Sequence, residues 1–596
     1  MPRTRQRRRP AARPRRGGVR GTPQFRLRVG FVVIAMVLSV FGVRLVQLQG
    51  LDPEHYAQLA AQEGTVSVIL PAVRGDILDR NGQPLAASVA GEMVVADPQQ
   101  TADVAPQLAR FLSQKLDVDY FTTLAHLRAK NSRFQYVARR IPSTLATSVV
   151  KQASDHGFKG LSTRPDPLRT YPGHDVAANL LGFVGTDQPL GGLEEVFNKM
   201  LSGKDGSERY EVGAGNNQIP LGHNSTTPAV NGQDLHLTID RDLQWYTQRV
   251  LRQAVDQARG DSGIAVVMDS RTGEVLSLAD YPTYDADDPA EAPTDDRGAR
   301  SLNLPYEPGS VEKVLTLSSL IDAGKVSDRT KLLVPDSLDR NGTVIHDYWE
   351  HGNIKLTLAG VLAKSSNIGT VLASDRFAPG QLRSYLNKFG LGVRTNVGVG
   401  AETPGILPDP SMWTSGTEDR IDFGQSLSVN AMQMAAAVNT IANHGVRVSP
   451  TLIKGVATED DGAKIGTGVS TRHRVVSKNA ATQTTLMMER TVDPEDGVAP
   501  KAQVPGYTVA GKTGTAQRVD PDCGCYDGSL TVSFAGFAPA QKPRFTIYVV
   551  IQNPKAAGVG GGATAGPVFA KLMAYALQRY GVPSSHVPQT KLPVEW

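Results

Sequence analysis

Cysteine is scarce, with two in 596 residues. That excludes a disulfide scaffold and leaves too few ligands for a Cys-rich zinc fold. The 11 His are scattered with no H-E-x-x-H pattern, so metal catalysis has no support and no metal ligand is assigned. Beyond residue 50 no apolar run approaches 18 residues, which excludes a polytopic membrane protein. Hydrophobic residues at 40% and charged residues at 20% fit neither a wholly disordered chain nor a collagen-like repeat. Acid is missing from residues 1–28, which hold 11 Arg; against a chain total of +5, the other 568 residues therefore sum to −6. A mildly acidic globular part gives no support to nucleic-acid binding.

The basic segment, residues 1–28, is rich in Arg, Pro and Gly, has little apolar area to bury and is predicted disordered. Residues 29–43 are an uncharged, mostly apolar run. Continued as a helix to Leu48, the run spans about 30 Å, one bilayer core. The spacing predicts a single transmembrane anchor over residues 29–49, with Arg44 snorkelling near its end. The positive-inside rule places the Arg cluster in the cytoplasm and everything after residue 50 outside. A cleaved signal peptide would end in small residues; this run ends in RLVQLQG, which favours retention.

Farther on, residues 65–70 read as a strand and 74–88 as a hairpin around Asn81-Gly82. Residues 103–116 and 143–156 have helical spacing. The Gly- and Asn-rich stretch 212–232 reads as a linker, and a domain boundary is placed there. RDLQWYTQRVLRQAVDQA is helical, and residues 264–279 form two apolar strands around a turn at 271–273. TVSFAGFAPA and RFTIYVVIQN are strands; a helix follows from about 567 to 580, with Pro567 in its first turn and Gly581 at its end. Strands at both ends of this region, with helices between, predict one α+β domain whose sheet unites them.

Three short motifs carry the chemistry. Ser310-Val311-Glu312-Lys313 is S-x-x-K and opens an apolar helical run closed by Gly324. At i and i+3 a hydroxyl and an amine share a helix face, and a weak nucleophile needs such a neighbouring base. Ser365-Ser366-Asn367 is S-x-N, able to relay a proton and hold an amide. Lys512-Thr513-Gly514-Thr515 follows the β-prone YTVAG and presents a second cation and two hydroxyls, with Gly514 leaving room for a ligand backbone. Each motif alone is weak: a second S-x-x-K lies at Ser148, and S-x-N recurs at Ser301, Ser428 and Ser477. Order and spacing lift the set, with 55 residues from Ser310 to Ser365 and 147 more to Lys512.

With these motifs in this order, the sequence resembles the penicillin-binding transpeptidases. RGDILDRNGQPLA, RTYPGHDVAANLLGFVG and GLEEVFNKMLSGKDG are similar to pedestal segments of class B penicillin-binding proteins. GQDLHLTID resembles the start of their catalytic domain and PYEPGSVEKV their nucleophile helix. The Arg-rich tail and the CGC segment look most like actinobacterial division enzymes of the FtsI type. One departure is FGQSLSVN, where a second Gly is expected in place of Ser426.

The resemblance implies a penicillin-binding/serine-β-lactamase-like transpeptidase domain preceded by an elongated pedestal and one transmembrane helix. The division would be a basic tail (1–28), anchor (29–49), pedestal (50–225), transpeptidase domain (226–585) and C-terminal tail (586–596). Ser310 would be the nucleophile and Lys313 its base; Ser365 would relay a proton and Asn367 would orient the stem peptide. Lys512, Thr513 and Thr515 would hold the substrate carboxylate, and the backbone N–H groups of Ser310 and Thr515 would form the oxyanion hole. Expected partners are peptidoglycan stem peptides, β-lactams, and a polytopic membrane glycosyltransferase among other division proteins, because residues 51–225 carry no recognisable glycosyltransferase signature. No cofactor is required. The alternatives are a side-wall transpeptidase of the same class, an anchored serine β-lactamase, a β-lactam-sensing receptor and a non-enzymatic division scaffold.

Other patterns point elsewhere. Residues 506–513 match the P-loop G-x4-G-K-[ST], but the spacers read as strand and no helix follows. Gly560-x-Gly562-x-x-Ala565 fits a dinucleotide pattern, with close helix packing as the plainer reading. The acidic stretch 285–296 reads as a solvated loop rather than a cation site. Cys523 and Cys525 are equally compatible with free thiols and with a small disulfide ring.

Overall fold

The computed structural model describes residues 23–47, 65–130, 132–185, 188–211, 224–340, 342–413, 416–520 and 523–596. The first 22 residues of the expected basic tail and residues 212–223 of the expected linker lie outside the described residues. The chain divides into two units, Met1–Leu70 with Gly206–Pro228, and Pro71–Asp205 with Ala229–Trp596.

The first unit holds a 24-residue helix, Pro23–Val46, long and apolar enough to cross a membrane, with a mean hydropathy of 2.5. It starts six residues before the expected anchor, so residues 23–28 are helical rather than disordered. Pro23 suits a first turn, and Arg26 and Arg28 are good helix formers. The same unit holds a three-stranded antiparallel sheet. Thr65–Leu70 pairs with Gly206–Glu211, Thr65 opposite Glu211, and Ser225–Thr227 pairs on the far side. That last strand falls inside the stretch expected to be linker.

The second unit begins with the expected hairpin. Ile77–Leu78 pairs antiparallel with Pro84–Val89 across Gly82, whose φ of +82° suits glycine. A small lobe follows: Gly91–Ala96 lies between Gln135–Pro142 and Leu161–Pro165. The helices Ala105–Leu116 and Ser143–Asp155 bury Leu108, Leu112 and Val149 against Val94. The three pedestal-like segments meet at one carboxylate. Glu194, with no exposed surface, accepts from Arg74 Nε at 2.6 Å and Arg169 Nε at 2.7 Å. A carboxylate buried this deeply persists only because two guanidinium groups neutralise it.

The larger part is built on a five-stranded antiparallel sheet. Its order is Val275–Tyr281, Ser262–Asp269, Phe545–Gln552, Tyr526–Ala538, Ala510–Val519. Strands from the two ends of the region are therefore neighbours, as expected. Side chains alternate across the pleat. Ala265, Val267, Val549 and Ile551 pack with the helices Arg241–Ala258 and Gly566–Arg579. Ile264, Val266 and Val550 face the other core, which includes Lys313–Asp322 and the fully buried Ala431–Ala442. The edge strand Ala510–Val519 carries the third motif. At the chain's end Leu592 and Val594 are buried, and Val594 O accepts from Thr357 N at 3.0 Å. Thr357 caps Leu358–Ala363, the helix leading into the second motif.

Candidate active site

Ser310 sits in a single 3-10 turn, Gly309–Val311, and the α-helix starts only at Lys313. The pair is therefore not on one α-helical face as expected; a tight turn feeds the helix and still brings residue i+3 beneath residue i. The turn is held by close backbone packing. Gly309 N donates to Gly424 O at 2.9 Å, and a Cβ on Gly424 would lie 2.1 Å from Gly309 O. Ser310 is partly exposed and opens onto a cleft of about 410 Å³, shared with Ser365, Asn367, Thr513 and Thr515.

Lys313 is fully buried. Its Nζ donates to Ser365 O at 2.7 Å and Asn367 Oδ1 at 2.7 Å, which ties the first motif to the second. Burial pushes the Lys313 ammonium down to about 7, against the opposing pull of Asp347 and Glu312. Lys512 is also fully buried and donates to Ser365 Oγ at 2.8 Å, Thr513 O at 3.0 Å and Thr513 Oγ1 at 3.2 Å. Burial, reinforced by the charge of Lys313, holds it well below the lysine range. The three motifs thus meet in one place. Ser365 stands between two amines, its carbonyl facing Lys313 and its hydroxyl facing Lys512. Its φ of +61° is left-handed, a conformation that costs a non-glycine residue about 1 kcal/mol or more.

Thr513 and Thr515 line the cleft from one face of the edge strand. A Cβ on Gly514 would lie 2.3 Å from Ser533 Oγ on the neighbouring strand and 3.0 Å from Pro308 O, so the protein's own packing already asks for glycine there. Ser426 stands where glycine would be at ease: its φ is +59°, and its backbone N–H donates to Glu307 Oε1 at 2.8 Å.

Several residues of the site carry no recognisable short motif. Asp347 accepts from Ser366 Oγ and from the backbone of the second motif. Tyr348, Phe423, Gln425 and Val498 line the cleft, as do residues 559–563. The last of these contains the dinucleotide-like glycines. A Cβ on Gly561 would lie 2.5 Å from Ser533 O, and one on Gly562 would lie 2.3 Å from Val498 O, so close packing accounts for these two; a Cβ on Gly560 would meet nothing within 4 Å. Next to the Gly309–Val311 turn, Glu312 is fully buried and accepts from Thr316 Oγ1 at 2.7 Å. Burial holds it well above the carboxylate range.

The other sequence matches fall away from the cleft. Ser148 lies in Ser143–Asp155 and accepts from Gln152 Nε2. Ser301 donates to Asp280, and Ser477 caps Lys478–Thr491; with Ser428, none of them lines the cleft. Lys512 is followed by continuing strand, not by the helix a P-loop needs. Asp285 and Asp287 of the acidic stretch meet His174, their ligand atoms within 4.8 Å of one another and all three exposed; none of the three lines the cleft. Cys523 and Cys525 are joined as a disulfide.

Residues 263–574 match the family described as penicillin binding protein transpeptidase domain, and residues 69–189 the penicillin-binding protein dimerisation domain. The chain is 35% identical to penicillin-binding protein PbpB of Mycolicibacterium smegmatis, over 96% of this chain and 93% of the relative. It is 31% identical to peptidoglycan D,D-transpeptidase FtsI of Escherichia coli, over 94% and 92%. Among solved structures, penicillin binding protein 3 of Mycobacterium tuberculosis, complexed with aztreonam, superposes with a TM-score of 0.68 at 32% identity, covering 89% of this chain and all of that one. A peptidoglycan synthetase of Bifidobacterium adolescentis gives a TM-score of 0.71 at 30% identity, with the same coverage.

Proposed function

The chain belongs to the penicillin-binding protein transpeptidases, class B and of the FtsI type, and on that premise we propose the following chemistry for its cleft. It is a serine-type D-Ala-D-Ala transpeptidase that cross-links peptidoglycan stem peptides. Ser310 Oγ attacks the carbonyl of the penultimate D-Ala, and neutral Lys313 takes the hydroxyl proton. The backbone N–H groups of Ser310 and Thr515 stabilise the developing oxyanion. As the tetrahedral intermediate collapses, the bond to the terminal D-Ala breaks, and Ser365 passes a proton to the departing amine. Lys512, Thr513 and Thr515 hold the terminal carboxylate, and Asn367 orients the peptide. The amine of a second stem peptide then attacks the acyl-serine; a new amide forms, Ser310 is released, and the proton returns to its hydroxyl. A β-lactam would acylate the same oxygen by opening its ring.

The observation that carries this reading is the convergence of Lys313 and Lys512, both buried, on the two sides of Ser365 beside Ser310. A burial-depressed lysine is the form of the residue that can accept a proton near neutral pH. Among the described residues that line the cleft there is no Asp or Glu, so a water entering it meets no carboxylate base. That favours a lasting acyl-enzyme over a β-lactamase.

Incubation with a fluorescent penicillin tests the reading. A stable adduct on the wild-type chain, lost in Ser310→Ala, supports it; rapid turnover points to a β-lactamase, and no adduct to a scaffold. We further propose that the helix Pro23–Val46 anchors the chain with the Arg-rich end in the cytoplasm, by the positive-inside rule. The catalytic domain then works outside the membrane in septal synthesis, beside a polytopic glycosyltransferase. Division proteins are the favoured partners because the FtsI relative matches over nearly its whole length. A fluorescent fusion in dividing cells tests the septal role, and a side-wall pattern would overturn it.

A further inference from the structure

One buried carboxylate outside the three motifs contacts the second of them at two points and the residue after it at a third. Asp347 lies in the loop between Thr343–Ile345 and Ile354–Thr357, with its side chain wholly enclosed. Its Oδ1 accepts from Asn367 N at 2.5 Å and Ile368 N at 3.1 Å, while Oδ2 accepts from Ser366 Oγ at 2.6 Å. The fourth partner is His351, whose Nε2 lies 3.1 Å from Oδ2. A carboxylate only accepts, so Nε2 carries the proton in this contact. His351 Nδ1 in turn lies 2.6 Å from Gly352 O, and its side chain is 7% exposed. The neighbouring His346 O accepts from Asn367 Nδ2 at 2.9 Å, which aims the amide oxygen of Asn367 at Lys313 Nζ.

We propose that Asp347, buttressed by His351, is the positioning residue of the acyl-transfer site, holding the Ser365–Asn367 turn against Lys313 and supplying the negative charge behind it. The carboxylate satisfies the orphan N–H groups at the start of Asn367–Ser374. Those bonds keep the strained Ser365 in place between the two amines. Its charge acts across the turn on Lys313, opposing the effect of burial. The titratable groups facing Lys313 are then Glu312 on its own turn, Asp347 from this loop and Lys512 from the edge strand. Facing Asp347 are Lys313, His351 and Tyr348. No short motif marks the loop; its place in the site follows from hydrogen bonds alone.

This inference rests on the transpeptidase reading, and one experiment separates the two. The full chain in detergent is acylated with a fluorescent penicillin, and the second-order rate is followed against pH. Failure of the wild type to acylate would sink the transpeptidase reading itself. With an active wild type, Asp347→Asn should slow acylation on the order of a hundredfold, as expected when reacting groups lose their alignment. It should also shift the acid limb of the profile to lower pH, because Lys313 loses a charge that favours its ammonium form. A merely structural role would scale the whole profile without moving the limb. His351→Ala should slow acylation several-fold and His351→Gln, which keeps a donor, should restore it; this pair decides the matter if Asp347→Asn does not fold. Wild-type rates in both His351 variants, or an unmoved limb in Asp347→Asn, would overturn the proposal.

Discussion

Lys512 Nζ donates to Ser365 Oγ at 2.8 Å across 147 residues of chain. The bond joins an edge strand of the sheet to a turn between two helices, so neither the sheet nor the helices alone can form the site. On the opposite side of the same residue, Lys313 Nζ holds Ser365 O at 2.7 Å. One serine in a left-handed conformation is therefore the place where all three motifs are registered. Ser365→Ala should leave the backbone contact intact and remove the hydroxyl relay. Acylation by a penicillin should fall by about two to four orders of magnitude, the range of a lost proton-transfer group; a change under tenfold would remove Ser365 from the proton path.

The pH dependence of acylation follows from Lys313. Its pKa is lowered from 10.5 to about 7 by burial, so the proton-accepting form appears as pH rises through about 7. The acylation rate should rise over that interval and level off above it, and the acid limb should disappear with Lys313→Met, which should also abolish most acylation. Stability carries the same sign. Between about pH 7 and 10.5 the unfolded chain holds a proton that the fold does not, so Lys313 makes stability rise with pH across that window. Urea unfolding at several pH values should show a shallower slope for Lys313→Met.

Ser426 occupies a left-handed position at φ +59° while its N–H serves Glu307. Ser426→Gly keeps the N–H and relieves the conformation. The gain, net of the flexibility that glycine adds to the unfolded chain, is about 0.5–1 kcal/mol. Thermal unfolding should move up by about 1 °C, as expected for a domain of this size, with the acylation rate unchanged. A lowered midpoint would mean that the Ser426 side chain contributes more than its backbone costs.

How far the sequence reveals this protein depends on the range over which each feature is encoded. Hydrophobic period and turn residues are local, and they located the helix Arg241–Ala258, the hairpin at Gly82 and the strands at both ends of the sheet. The three motifs were legible because each is short and their order is distinctive. Asp347 was not, because its role consists of bonds to residues about twenty positions away. Of the pattern Gly560-x-Gly562, only Gly562 is closely packed, together with the intervening Gly561; that this packing forms a cleft wall is decided by backbone from elsewhere in the chain. Gly514 packs on Ser533 of the adjacent strand and on Pro308, about 200 residues earlier, contacts that no local pattern announces. The start of the membrane helix was placed late because a search for uncharged residues stops at Arg28, whereas helix formation does not.

That cleft wall can be tested directly. Gly561→Ala would drive a methyl to within 2.5 Å of Ser533 O and 2.7 Å of Gly514 O, both backbone atoms of the sheet. Backbone cannot step aside as a side-chain end can, so the wall or the edge strand must move. A cost of about 1–3 kcal/mol is expected from overpacking, along with a loss of acylation larger than the loss of folded protein. Full acylation in a chain of wild-type stability would show that residues 559–563 are not set by this contact.

Glu194 offers the corresponding test in the region matching the dimerisation domain and the segment just after it. It is wholly buried between Arg74 and Arg169, and Arg74 NH2 also reaches Glu194 O. Glu194→Gln is nearly isosteric but leaves two guanidinium groups facing a neutral amide, and the amide's own N–H₂ opposes one of them. Breaking a buried ion pair on one side costs about 3–5 kcal/mol. Three separated segments, around residues 74, 169 and 194, depend on this one carboxylate, so the loss should appear as earlier urea unfolding and faster proteolysis in this region. The acylation rate of the molecules that remain folded should be close to wild type, since none of the three residues lines the cleft. A fall in both together would show that the buried triad also supports the catalytic domain.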